Sequence, residues 1–110
     1  MSAAPVKILV IDGEAPIRRL LRMGFSTQGY EIIDAPNGRA AIELLVQKPD
    51  LITLDLNLPD IPGFELLKVI RMRAETIPIA ERPQYVLTEG GAGYRLRAPA
   101  PIARETHTYA

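Results

Sequence analysis

The sequence predicts an α/β fold, a parallel sheet laid down in the order β-α-β-α-β-α and followed by a β-hairpin. Three observations predict it. Short β-branched apolar runs around Lys7–Ile11, Tyr30–Ala35 and Leu51–Asp55 alternate with helical patterns. The segments joining them are brief and rich in turn-forming residues. Beyond Arg82, a glycine-rich stretch separates two further strand-like runs. Strands alternating with helices at this spacing imply right-handed crossovers and helices on both faces of the sheet.

The first run, Lys7-Ile8-Leu9-Val10-Ile11, is continuous in apolar character and too short for a buried helix, which suits a strand covered on both faces. It stops at Asp12-Gly13-Glu14. Pro16 then sits where a first helical turn tolerates a missing N–H, and Ile17, Leu20, Leu21 and Phe25 recur at helical spacing, predicting a helix that ends near Gly29. Arg18, Arg19 and Arg22 take its other face, the usual place of a solvated charge stripe. Asn37 is a candidate N-cap for a second helix with the apolar stripe Ala41, Ile42, Leu45 and Val46, closed by Lys48-Pro49. The strand ending at Asp55 leads into the turn-rich Asn57-Leu58-Pro59-Asp60-Ile61-Pro62-Gly63 and a third helix from Phe64 to about Arg73.

Past Arg73 the regular pattern breaks at Pro78 and Pro83. Tyr85-Val86-Leu87-Thr88, the turn Glu89-Gly90-Gly91-Ala92-Gly93 and Tyr94-Arg95-Leu96 read as a β-hairpin. Residues 98–110, rich in Ala and Pro, show no periodicity and are expected to be irregular.

With 110 residues, the chain has the length of one domain. Thirteen basic residues balance thirteen acidic ones, so no global field draws it to nucleic acid or an anionic membrane. The absence of cysteine excludes disulfides and thiolate-bound metal. No signal-peptide pattern and no membrane-length apolar run is present, and a soluble cytoplasmic protein is expected.

In open parallel sheets, ligands bind at the carboxyl ends of strands where the strand order reverses. Asp12 lies just past the first strand and Asp55 at the end of the third. If the order is 2-1-3, both carboxylates enter one crevice, beside Glu14 and the backbone of Asn57. Mg²⁺ would relieve their repulsion through oxygen ligands, and an aspartate beside it can act as a nucleophile toward phosphorus. Taken alone, Asp55 could equally be a turn residue, as Asp60 is expected to be.

The runs Ile8-Leu9-Val10-Ile11-Asp12-Gly13-Glu14-Ala15-Pro16-Ile17-Arg18 and Lys48-Pro49-Asp50-Leu51-Ile52-Thr53-Leu54-Asp55-Leu56-Asn57-Leu58-Pro59-Asp60-Ile61-Pro62-Gly63 resemble the receiver domain of two-component response regulators, in particular the OmpR/PhoB class and its KdpE-like members. The resemblance implies a truncated flavodoxin-like sheet over residues 1–75. It further implies Asp55 as phosphoacceptor, metal contacts from Asp12, Asp55 and the Asn57 carbonyl, a sensor histidine kinase as partner, and no enzymatic turnover.

The pattern is incomplete. Gly13 stands where the family usually places a second acidic residue that contacts metal, which implies weak or absent Mg²⁺ binding. No lysine follows Lys68, so the family's phosphate-pairing lysine has no counterpart, and switching is expected to be impaired. Thr76-Ile77-Pro78-Ile79 resembles the start of a receiver fourth strand. Arg82 to Leu96 resembles the C-terminal hairpin of the winged-helix DNA-binding domain, so residues 76–97 read as a junction left by internal deletion. Alternatively, Tyr85–Thr88 pairs beside the third strand, with Thr88 in reach of a phosphoryl group; an exposed edge otherwise invites a second copy, and a homodimer, strand-exchanged or symmetric, is expected.

Two other functions compete. One is a phosphorylation-independent dimerising module, or a decayed regulator that still folds. The other is a haloacid-dehalogenase-type phosphatase, which Asn57 disfavours because an amide cannot serve as acid and base. Arg95, Arg97 and Arg104 without a recognition helix would give only salt-sensitive DNA contacts, so specific binding is not expected. His107, Met23 and Met72 read as tail and packing residues.

Overall fold

A computed structural model describes residues 5–89, 95–97, 102–103 and 106–107. Strand β1 (Lys7–Ile11) leads to helix α1 (Ala15–Ser26), β2 (Glu31–Ala35), α2 (Gly38–Leu44), β3 (Leu51–Asp55) and α3 (Gly63–Ala74). Then come β4 (Gln84–Glu89), β5 (Arg95–Arg97) and the short pair β6 (Ile102–Ala103) and β7 (Thr106–His107). The main sheet has the order β2-β1-β3-β4-β5. Its first four strands are parallel, and β5 runs antiparallel to β4.

One face of the sheet carries the larger core. Leu9, Ile11, Ala35, Ile52, Leu54, Tyr85 and Leu87 pack there against Ala41 of α2 and Leu66 and Ile70 of α3. On the other face Ile8, Val10 and Ile32 meet Leu21 and Phe25 of α1. Alternate residues of each strand thus serve opposite layers, as the pleat requires. Phe25 and Tyr30 stack edge to face at 6.1 Å, closing the turn between α1 and β2.

Several expectations need correction. Leu20 does not belong to the buried stripe of α1 and is 64% exposed, because Ile17, Leu21 and Phe25 at four-residue spacing form the facing row and Leu20 rotates to its flank. Val46 likewise stands 80% exposed. The chain tightens into a 3₁₀ turn over Leu45–Gln47, and three residues per turn carry Val46 off the stripe. Thr76–Ile79 does not begin a strand. The Ile77 N–H bonds the Ala74 carbonyl at 2.9 Å, Pro78 has no N–H for a ladder, and the chain turns through a 3₁₀ segment at Ile79–Glu81 before β4. Of residues 98–110, expected to lack regular structure, β6 and β7 pair antiparallel and the remainder lies outside the described residues. So does Arg104. The expected hairpin is present as β4 and β5, with its turn, residues 90–94, outside the described residues.

Candidate functional site

Register brings the predicted polar residues into one row. Ile11 pairs with Leu54, so Asp12 and Asp55 are the next residues on neighbouring strands, and Asp55 pairs directly with Thr88. All three are buried, with exposures of 1%, 2% and 2% for Asp12, Asp55 and Thr88. Buried carboxylates at adjacent strand ends are costly unless they are hydrogen-bonded or paired.

Each carboxylate holds the loop that leaves its strand. Asp12 Oδ1 accepts from the Glu14 N–H at 2.9 Å, and Asp55 Oδ1 accepts from the Asn57 N–H at 3.0 Å. These are Asx turns, so the bend that follows each strand is built by the strand-end carboxylate itself. The Thr88 hydroxyl donates to the Leu54 carbonyl at 3.4 Å, while the Leu56 N–H reaches across to the Thr88 carbonyl at 2.9 Å. Beside the row a cleft opens between Gly13, Glu14, Asn57 and Pro59. A Cβ on Gly13 would lie 3.3 Å from Pro59 Cδ and 3.8 Å from the Pro36 carbonyl oxygen, so a side chain at that position would crowd Pro59 on the wall of this cleft.

The loop after β3 is anchored at its far end. Asp60 accepts from the Gly38 N–H at 2.9 Å and from the Arg39 N–H at 3.1 Å, while Asn37 Oδ1 caps the same helix through the Ala40 N–H at 2.8 Å. Asp60 is therefore a cap, but for a helix 22 residues away in sequence. The Gly38 N–H is the main cause that holds its carboxyl below the ordinary aspartate range. At the start of α3 the Gly63 N–H bonds the Leu56 carbonyl at 3.1 Å, and the helix backbone presses on the Asp55–Leu56 peptide so closely that a Cβ on Gly63 would overlap Leu56 Cα.

Sequence reasoning missed the arginines of α1. Arg18 Nη1 donates to the Asp12 carbonyl at 2.7 Å and its Nε lies 3.6 Å from Asp34 Oδ2; Arg22 Nη2 meets Asp34 Oδ1 at 3.1 Å. The signal available was the pairing of a basic helix face with an acidic residue near the end of β2. Helical periodicity alone does not show it, because a charged stripe looks solvated until the neighbouring strand is placed.

Among the described residues no group of three or more His, Cys, Asp or Glu side chains is arranged to hold a metal ion. Asp12 and Asp55, two buried carboxylates at neighbouring strand ends, lie beside the cleft that Asn57 lines and are the candidate oxygen donors. That set fits Mg²⁺, which is commonly held by one or two carboxylates together with waters and phosphate oxygens.

Residues 8–82 match the response regulator receiver domain. The chain belongs to this family. Receiver relatives of the OmpR/PhoB class include the alkaline phosphatase synthesis regulator PhoP of Bacillus subtilis, 40% identical over 74 residues, which cover 66% of this chain and 31% of that protein. The phosphate regulon regulator PhoB of Pseudomonas aeruginosa is 39% identical over 85 residues, 76% of this chain and 36% of that protein. The match thus spans about a third of the length of these curated relatives. Among solved structures, the response regulator TrrA of Thermotoga maritima, in complex with Mg²⁺-BeF, aligns with a TM-score of 0.66 at 32% identity over 78% of this chain and 70% of that one. The chemotaxis response regulator CheY4 of Vibrio cholerae aligns with a TM-score of 0.64 at 28% identity over 74% and 68% of the two chains. The receiver match ends at Arg82, so β4 lies just beyond it although it completes the parallel sheet. No helix among the described residues is long and apolar enough to cross a membrane.

Proposed function

We propose that this receiver accepts a phosphoryl group on Asp55 within a two-component phosphorelay in the cytoplasm. The observation that carries the reading is the buried row Asp12, Asp55 and Thr88 at the carboxyl ends of three adjacent parallel strands, beside an open cleft. A carboxylate oxygen of Asp55 attacks the donor phosphorus, a new O–P bond forms, and the bond to the donor breaks with its electron pair leaving on the histidine nitrogen or acyl oxygen. The product is an acyl phosphate.

Asp12, Asp55 and the Asn57 carbonyl would hold Mg²⁺, which when bound supplies positive charge to the phosphoryl oxygens. The Thr88 hydroxyl, paired with Asp55 in register, can turn from the Leu54 carbonyl to a phosphoryl oxygen. Gly13 removes one carboxylate from the cleft, and Mg²⁺ affinity is correspondingly weak. Without a lysine beyond Lys68, phosphorylation lacks the cation that would couple it to a surface change, and this favours a phosphate sink over a full switch. The donor is a sensor histidine kinase. We further infer that the β4–β5 hairpin derives from a winged-helix segment joined by internal deletion.

The test is intact mass after incubation with acetyl phosphate and Mg²⁺. The wild type is expected to gain one phosphoryl group and Asp55→Asn none; an unmodified wild type refutes the reading. Gly13 favours a second reading, a dimerising module that works without phosphorylation. Light scattering at micromolar concentration is expected to show a homodimer under either reading, and a pure monomer eliminates the second.

A further inference from the structure

We propose that Arg18 is a positioning residue for the acidic site: its guanidinium fixes the corner at which Asp12 leaves β1, and thereby sets how well the site takes Mg²⁺ and phosphate. The inference rests on the reading of Asp55 given above.

Asp12 is gripped from three directions. Its N–H bonds the Ala35 carbonyl of β2 at 3.1 Å, its Oδ1 receives the Glu14 N–H at 2.9 Å, and its carbonyl receives Arg18 Nη1 at 2.7 Å. The first two bonds belong to the sheet and to the loop itself. Of these three bonds, the third comes from a side chain on a separate element, and it is the shortest. Arg18 is also held from behind, because its Nε lies 3.6 Å from Asp34 Oδ2. A planar guanidinium can address a carbonyl and a carboxylate at once with little loss of side-chain freedom, which an ammonium on a flexible stem cannot do.

Arg22 supplies the contrast within the same helix. It also bonds Asp34, at 3.1 Å, and reaches the Ile32 carbonyl at 3.4 Å, so it ties α1 to β2 as Arg18 does. It has no bond to Asp12 among the described contacts, and its side chain is 47% exposed against 18% for Arg18. Loss of either arginine removes an α1–β2 tie. Loss of Arg18 alone also releases the Asp12 corner.

Side chains that orient a metal-holding residue typically change affinity 10- to 100-fold when removed. The experiment titrates the full chain with magnesium chloride by calorimetry and separately follows the rate of Asp55 modification by acetyl phosphate. Arg18→Ala is expected to weaken Mg²⁺ binding about tenfold and to slow modification at fixed Mg²⁺, while Arg22→Ala leaves both near wild type. Arg18→Lys is expected to lose less, in the same direction. Equal Mg²⁺ affinity in wild type and Arg18→Ala overturns the inference, as does an equal loss in Arg22→Ala, which would mark a purely structural tie. Should Arg18→Ala fail to fold, Arg18→Lys decides: weaker binding at an unchanged melting temperature supports the inference, and wild-type affinity overturns it. A wild type that binds Mg²⁺ but is never modified at Asp55 refutes the phosphoacceptor reading and leaves the titration of Arg18 intact.

Discussion

Two glycines in two helices are expected to respond to the same substitution with opposite signs. At Gly63 a Cβ would overlap Leu56 Cα and lie 2.9 Å from the Asp55 carbonyl oxygen and 3.0 Å from the Leu56 carbonyl carbon. Ordinary carbon contacts are at about 3.5–4.0 Å, and all three atoms belong to backbone that cannot rotate away. Overpacking costs about 1–3 kcal/mol, and contact with backbone places Gly63→Ala at the upper end, roughly 2–3 kcal/mol after a small gain in helix propensity. For a domain of this size the melting temperature should fall by roughly 10–20 °C. At Gly24, inside exposed α1, nothing lies within 4 Å of the added methyl. There the gain of about 0.5–1 kcal/mol from restricting the unfolded chain is unopposed, and Gly24→Ala should melt a few degrees higher. Circular dichroism melts at one fixed protein concentration compare the pair, since self-association would otherwise move the midpoint. A Gly63→Ala protein as stable as wild type would refute the close packing of α3 on the strand end that carries Asp55.

Other outcomes follow from single contacts. Leu54, fully buried in the larger core, should lose about 2–5 kcal/mol on change to Ala, read by urea unfolding. Lys48 is held at a φ of 57°; Lys48→Gly should release about 1–2 kcal/mol of strain against about 0.5–1 kcal/mol of added unfolded-state entropy, and a lower urea midpoint would contradict this. Asp60 has a lowered folded-state pKa, so its contribution is present above the unfolded value and is lost as pH falls through the folded one. Melts from pH 6 down through about pH 3 should therefore show a smaller acid destabilisation in Asp60→Asn than in wild type, and identical pH slopes would contradict the cap. Thr88→Val keeps the strand but removes the hydroxyl, and should slow acetyl phosphate labelling of Asp55 on the order of a hundredfold.

Most of the sheet was legible because its signals are local. β1, β2 and β3 are short β-branched runs, and Asp12 and Asp55 announce themselves by following such runs immediately. Pairing was harder to read. Thr88 could be placed opposite Asp55 only as one of two readings of the hairpin, because nothing in Tyr85–Thr88 itself says which strand it will join. The bonds of Arg18 and Asp60 were not legible at all: each depends on an element distant in sequence coming into reach, and periodicity carries no such information. Val46 and Thr76–Ile79 were misread for a different reason. At Val46 the backbone tightens into a 3₁₀ turn, and at Thr76–Ile79 the chain leaves α3 by a turn and meets Pro78 before a 3₁₀ segment begins; a reading based on ideal α or β periods has no term for such changes.

The reversed direction of β5 has a geometric consequence for whatever the chain does next. In a sheet of parallel strands every strand delivers the chain to the edge where Asp12 and Asp55 sit, and a helix must carry it back. β5 instead starts opposite Glu89 at that edge and runs toward the end where β4 begins. The chain therefore leaves the sheet travelling away from the acidic row. β5 ends opposite Leu87, one residue back from the level of Thr88 and Asp55, so the effect of a phosphate on Asp55 would reach the end of β5 sideways through β4, strand to strand, and not along the length of the sheet.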